Sequence, residues 1–313
     1  MDQLQKYIGN EGDVPKIHKM GGGEWRKIRN KAQKSIDDLA EKLVELYAQR
    51  EVVDGFSFLP DQPWQQEFEE AFPYEETEDQ LQAVKEIKES MEKPYPMDRL
   101  LCGDVGFGKT EVAMRAVFKA VLSGKQVAVL VPTTVLAQQH FQTFTERFAP
   151  FGAKVEVLNR FRSAGEKRDI IKRVAAGDID VLIGTHALLN KKVQFRDLGL
   201  LVVDEEQRFG VAQKEKWKSW ANSIDVLTLS ATPIPRTLHM SLVGVREMSI
   251  ITTPPEDRLP VQTYVVEYDM QLIADAIRRE IQRGGQVYFV YNRVASIDHM
   301  AELLMAAMPN LRL

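Results

Sequence analysis

Two glycines, a lysine and a threonine in "GDVGFGKT" (103–110) stand at the spacing of a loop that wraps phosphate groups. Gly103, Gly106 and Gly108 let the backbone turn its N–H groups inward, and Asp104, Val105 and Phe107 complete the cradle. Lys109 would reach the outer phosphates of a nucleotide, and Thr110 would offer its hydroxyl to Mg²⁺. A second group of residues can work with the first. In "LLVVDEEQ", four apolar residues run into Asp204 and Glu205. Adjacent carboxylates at a strand end repel each other, and a bound dication removes that repulsion. Asp204 would hold Mg²⁺ through its water shell, and Glu205 would orient or deprotonate an attacking water. The expected chemistry is phosphoryl transfer from ATP to water, with Lys109, Asp204 and Glu205 as the catalytic set.

Weaker signals surround these two. Ser230, Ala231 and Thr232 of "SATP" would bridge the hydrolysis site to a moving neighbour. In "FPYEETEDQ", Gln80 would pair with an adenine edge, while Phe72 suits either an adenine face or a packed core. Thr133 and Thr134 of "PTTVLAQQH", with Thr185 and His186 of "GTHALL", are suited to nucleic-acid phosphates, which fix position without reading sequence. "NRFRSAGEKRDIIKR" carries six Lys/Arg against two acids. Its Arg160 and Arg162 would follow a phosphate backbone, unless the segment is simply an exposed helix face. His140, His186 and His239 lack metal-ligand spacing, so Mg²⁺ is the one metal expected.

These residues need a frame. The apolar runs "RLLC", "QVAVLV", "KVEVL", "DVLIG", "LLVVD" and "DVLTLS" alternate with helical patterns. Runs of this kind read as strands buried on both faces of a parallel sheet. Each is followed by one of the groups above, as expected where ligands bind at the carboxyl ends of strands. Upstream, residues 1–23 look irregular and end in "GGG". Trp25, Ile28, Ala32, Ile36, Leu39, Leu43 and Leu46 then recur at helical steps, predicting a helix of roughly 27 residues and ~40 Å. Residues 24–75 are read as that helix and an acidic connector, 76–253 as the nucleotide-binding lobe, and 261–313 as part of a second α/β lobe. In that last part, "VQTYVVEY" and "GGQVYFVYNR" read as strands, with helices near 270–283 and 296–307.

Bulk properties exclude several classes. The 313 residues have a net charge of −4, 44% hydrophobic and 27% charged content, and one cysteine, Cys102. That rules out an internal disulfide and a multi-cysteine metal site. No apolar run approaches a membrane span, no signal-peptide pattern opens the chain, and a cytoplasmic location is expected without a membrane partner. Charge is segregated: residues 16–34 hold seven Lys/Arg against one acid, and residues 67–79 hold seven acids and no base. Either block suits a partner surface or a solvated face.

The order of these motifs resembles the first RecA-like lobe of superfamily 2 helicases and translocases, a P-loop NTPase fold. The wording of "MDRLLCGDVGFGKTEVAMRA" and "VVDEEQRFGVAQKE" is similar to the bacterial transcription-repair coupling factors, as is the segment around "GGGEWRKIRNKAQKSIDDLAEKLVELYAQRE". RecG helicases share "SATPIPRTL", but Glu206-Gln207 stand here where RecG would show Gln-His. The resemblance covers essentially the whole chain. It implies an ATP-dependent double-stranded DNA translocase that displaces stalled RNA polymerase and recruits excision-repair proteins. It also implies a fragment: the tail of a polymerase-interacting region, a linking helix, one complete lobe and the start of a second. The arginine that family members set against the γ-phosphate lies in motifs not found in this sequence, so ATP binding with little turnover is expected of it.

Overall fold

The structure is a computed structural model. It describes residues 54–313 except 211, 212, 215, 216, 218, 219, 221, 222, 232–246, 257, 259, 260 and 310. The predicted long helix, the basic block at 16–34, and Thr232 and His239 lie outside the described residues. The chain forms two units, Met1–Arg258 and Leu259–Leu313.

The first unit is built on seven strands: β1 Asp98–Gly103, β2 Gln126–Leu130, β3 Val155–Leu158, β4 Val181–Gly184, β5 Leu198–Asp204, β6 Asp225–Ser230 and β7 Glu247–Ile251. Their order is β3-β4-β2-β5-β6-β1-β7, and every pair is parallel. The helices are α1 Pro63–Glu70, α2 Glu78–Met91, α3 Lys109–Leu122, α4 Thr134–Phe148 and α5 Ala164–Ala176. Alternate strand residues serve two cores, as the period of two requires. In β2 and β5, Val127, Val129, Leu200 and Val202 join one core, while Ala128, Leu130, Leu201 and Val203 join the other. Phe68, Phe118, Phe144 and Phe148 of α1, α3 and α4 fill the first; Ile170 and Val174 of α5 fill the second. The fold is the expected α/β lobe with a parallel sheet between helices.

The acidic connector packs into this lobe. Phe58 and Phe68 are buried, Glu69 pairs with Lys88 at 2.5 Å, and Glu76 pairs with the buried Arg115 at 2.7 Å. The acids at 67–79 therefore include lobe ion pairs, not only a solvated face.

The second unit contains α6 Met270–Gln282 and α7 Ile297–Ala307, close to the predicted helices. Asp269 caps α6 by accepting from the Gln271 and Leu272 N–H groups, and Ala274, Ile277, Leu304 and Met308 pack together. The two runs predicted as strands form no ladder among the described residues, and Val265 and Tyr288 stand almost fully exposed. Apolar alternation makes a strand only beside another strand that satisfies its N–H and C=O groups. Among the described residues no helix is long and apolar enough to cross a membrane.

Candidate functional site

Three neighbouring strands, β5, β6 and β1, end together. The 103–108 loop follows β1, Asp204 closes β5, and Ser230 closes β6 between them. The loop turns through left-handed backbone at Gly106 (φ +82°) and Gly108 (φ +81°). At Gly108 a side chain is excluded twice: by φ, and because a Cβ would lie 2.4 Å from Gln80 Nε2. Gly108 also begins α3, so the loop passes directly into a helix N-terminus.

Lys109 folds back over the loop. Its Nζ donates to Gly103 O at 2.6 Å and Asp104 O at 2.9 Å, which leaves one of its three protons for an outside acceptor. Burial lowers its pKa, opposed by the charges of Asp204, Glu205 and Asp104. Thr110 is half-buried in the first turn of α3. Glu205 has the one positive φ of a non-glycine among the described residues, +52°, an arrangement typical of functional sites. Its carboxylate accepts from Gln207 and lies 3.7 Å from Arg208. Asp204 Oδ2 lies 3.0 Å from His140 Nε2 of α4. Ser230, the last residue of β6, is buried, and Ala231 after it is half-buried.

Gln80 is engaged rather than free. Its carbonyl accepts from Thr77 N in a capping box at the start of α2, and its amide donates to Phe107 O at 3.1 Å. It braces the glycine loop at Phe107. Phe72 is half-buried, edge-on to the exposed Tyr74 and 5.6 Å from the Arg115 guanidinium. The core choice offered by the sequence is thus only partly taken.

The nucleic-acid candidates separate. A cleft of about 420 Å³ beyond β2 and β4 is lined by Thr134, Arg160, Thr185 and His186, with Lys167 and Lys192 beside them. Thr133 uses its hydroxyl as the N-cap of α4, accepting from Leu136 N. Arg162 does not line the cleft. It pairs with Glu156 at 3.2 Å and Glu166 at 3.3 Å, so its charge is already matched within the protein.

Sequence reasoning missed two contacts that hold the segment after β7, one to the start of α2 and one to the loop. Asp79 Oδ2 accepts four hydrogen bonds, from the N–H and hydroxyl of Thr252 and of Thr253. Arg258 pairs with Asp104 at 3.2 Å and covers the Phe107 ring at 4.7 Å. The only signal for either was the polar wording "TTPPEDR". The Thr252 hydroxyl and N–H, then those of Thr253, lower the Asp79 pKa from 3.8 to about 2. The contribution of this clasp should be complete above pH 3.8 and disappear as pH falls through about 2. Thermal unfolding of wild type and Asp79→Asn checks it: the gap between their Tm values should be constant above that window and close within it.

The profile of the DEAD/DEAH box helicase family matches residues 77–241, which hold the glycine loop, the carboxylate pair and the cleft. The chain belongs to the DEAD/DEAH box helicase family. It is 57% identical over 310 residues to the transcription-repair-coupling factor of Bacillus subtilis (strain 168), covering 99% of this chain and 26% of that protein. Identity to the Staphylococcus aureus (strain USA300) transcription-repair-coupling factor is 54%, with the same coverage. The resemblance read from the motifs therefore stands, and the chain spans about a quarter of the length of these curated relatives. Among solved structures, RecG bound to a three-way DNA junction superposes with a TM-score of 0.72 at 34% identity, covering 88% of this chain and 38% of that one. The DUF1998 helicase MrfA, at 15% identity and a TM-score of 0.54, shares the fold.

Proposed function

We propose that this helicase lobe is the ATP-binding half of a motor that moves on double-stranded DNA. In the longer protein to which its relatives correspond, the motor displaces stalled RNA polymerase and recruits excision-repair proteins in the cytoplasm. One observation carries the reading: the phosphate loop and the Asp204-Glu205 pair follow β1 and β5, on either side of β6 at the same sheet edge that, two strands beyond β5, opens into the polar cleft.

The residues fit Mg-ATP. Gly106 has nothing within 4 Å of where a Cβ would stand, so its backbone is free to approach a ligand. Thr110 and Asp204 supply hard oxygen donors, which suit Mg²⁺. Bound Mg²⁺ would neutralise charge on the phosphate oxygens. Lys109 binds the phosphates with its remaining proton. Glu205, held by Gln207 and Arg208, orients a water and takes its proton. Gln80, by gripping Phe107 O, fixes the loop against the adenine side. The cleft holds phosphates of the DNA backbone through Thr134, Arg160, Thr185 and His186.

Steady-state ATP turnover by this chain, with and without duplex DNA and beside Lys109→Ala, tests the proposal. Lys109-dependent turnover raised by DNA is the motor's signature. Mg-ADP binding without turnover would mean that this lobe binds nucleotide and requires further residues for hydrolysis. A chain that binds neither Mg-ADP nor DNA would remove the reading. The likeness to junction-bound RecG favours a second reading, a motor for branched DNA. Preference for a three-way junction over linear duplex in a competition titration at fixed salt would select it.

A further inference from the structure

We infer that His140 is a positioning residue that couples nucleic-acid occupancy of the cleft to the nucleotide site. The inference rests on the reading above. It begins with α4, a single helix that serves both places. Thr134, its first residue, lines the cleft, and Thr133 caps it. Six residues later His140 reaches Asp204, about 9 Å along the helix at 1.5 Å per residue.

The contact is specific. His140 is 8% exposed, and its Nε2 lies 3.0 Å from Asp204 Oδ2. An ionised carboxylate accepts hydrogen bonds and cannot give them, so the imidazole is the donor. Its ring also meets Phe144 edge-on at 5.9 Å, which limits its freedom to turn away. Beyond it, Phe144 and Phe148 stack at 5.6 Å within the aromatic core, so the far end of α4 is anchored. The near end is the part that faces a ligand. Asp204 is therefore shared: one oxygen is held by α4, while the same carboxylate is a candidate donor to Mg²⁺. A change in how Asp204 is used alters its bond to His140, and a shift of the α4 N-terminus alters the orientation of Asp204.

Coupling of this kind is reciprocal in binding free energy. DNA must change Mg-ADP affinity by the same factor that Mg-ADP changes DNA affinity. His140 is in neither the glycine loop nor the cleft lining and meets the nucleotide site through Asp204, so its removal leaves the residues that hold each ligand in place. Removing it should uncouple the two sites and leave each working.

The test is a pair of titrations with this chain: fluorescent ADP with Mg²⁺, in the presence and absence of saturating duplex DNA at fixed salt. In wild type, DNA is expected to change the Kd for Mg-ADP by about fivefold or more, the lower edge of usual coupling. In His140→Ala the factor should fall to within twofold of one, while each ligand's own Kd moves less than about threefold. His140→Gln, whose amide nitrogen can stand near Nε2, should restore the coupling. His140→Asn, which mimics the other ring nitrogen, should not. Retention of the wild-type factor in His140→Ala would overturn the inference. So would parallel loss of both affinities, which would mean a structural role, or equal behaviour of Gln and Asn. Wild type that binds both ligands without coupling would overturn it too, with the nucleotide site left standing. Wild type that does not bind Mg-ADP would overturn the underlying functional reading and this inference together.

Discussion

Lys109→Ala should weaken Mg-ADP binding by about ten- to a hundredfold and lower any ATP turnover by about 10²–10³-fold. The first figure follows from losing one charge-assisted hydrogen bond, about 1.5–3 kcal/mol. The second is the usual effect of deleting a group that meets charge as it develops in the transition state. The geometry supports a local effect. Lys109 sits at the first turn of α3, and among the described residues its ammonium donates to the Gly103 and Asp104 carbonyls. The Gly106 and Gly108 backbone that forms the cradle does not depend on it. Isothermal titration with Mg-ADP, beside a melting curve that confirms the variant is folded, gives the comparison. An unchanged Kd would mean that the loop does not hold phosphate through this ammonium. A pH series adds a signed check. Burial lowers the Lys109 pKa, so in the free protein its charge is lost at lower pH than for an ordinary lysine. Phosphate favours the charged form, so nucleotide binding on the alkaline side should take up a proton, and that uptake should vanish in Lys109→Ala.

The parts of the site legible in the sequence are those whose partners lie nearby. "GDVGFGKT" carries its glycines, lysine and threonine within eight positions, and Asp204-Glu205 ends an unbroken apolar run. The contacts that were not legible join distant residues: His140 to Asp204 across 64 positions, Asp79 to Thr252 across 173, and Asp104 to Arg258 across 154. Each is an ordinary polar pair that no local pattern announces. The same rule separates the strands. The runs at β1–β6 are mostly apolar and were readable, including the edge strand β3 with its single Glu156. The seventh, "EMSII", is an edge strand whose polar residues are satisfied by β1: Glu247 pairs with Arg99 at 3.0 Å, and Ser249 accepts from Arg99 at 2.9 Å. Arg99 is buried because Glu86, Ser90, Glu247 and Ser249 surround it. Conversely, "VQTYVVEY" has the composition of a strand, but no described neighbour pairs with it. Arg162, a candidate for the phosphate path, is held by Glu156 and Glu166, the first of them on β3.

Phe68→Ala should destabilise the first unit by about 3–5 kcal/mol, the usual result of truncating a fully buried phenylalanine. Its exposure is 0%, its ring stacks on Phe118 at 4.2 Å, and it meets Phe148 at 5.1 Å and Phe151 at 5.4 Å edge-on. The Arg147 guanidinium covers the ring at 4.0 Å while donating to the Phe68 carbonyl. Removing the ring leaves a cavity among three aromatic side chains, and it strips the stacked face from Arg147, which also pairs with Glu111 at 3.1 Å. Against the ~5–15 kcal/mol that usually separates folded from unfolded domains, the loss is large. Urea unfolding should show a lower midpoint at unchanged slope, the sign of lost stability rather than a changed unfolded state. Phe72→Ala, at a half-buried ring, is the internal comparison and should cost much less. Phe68 lies ahead of residues 77–241, the span matched by the family profile, so the measurement also asks where the folding unit begins. A loss below about 1 kcal/mol would place α1 outside that unit. The expected loss would mean that α1 and the acidic connector fold with the sheet, carrying Glu76 and Asp79 to Arg115 and Thr252 as part of the same cooperative event.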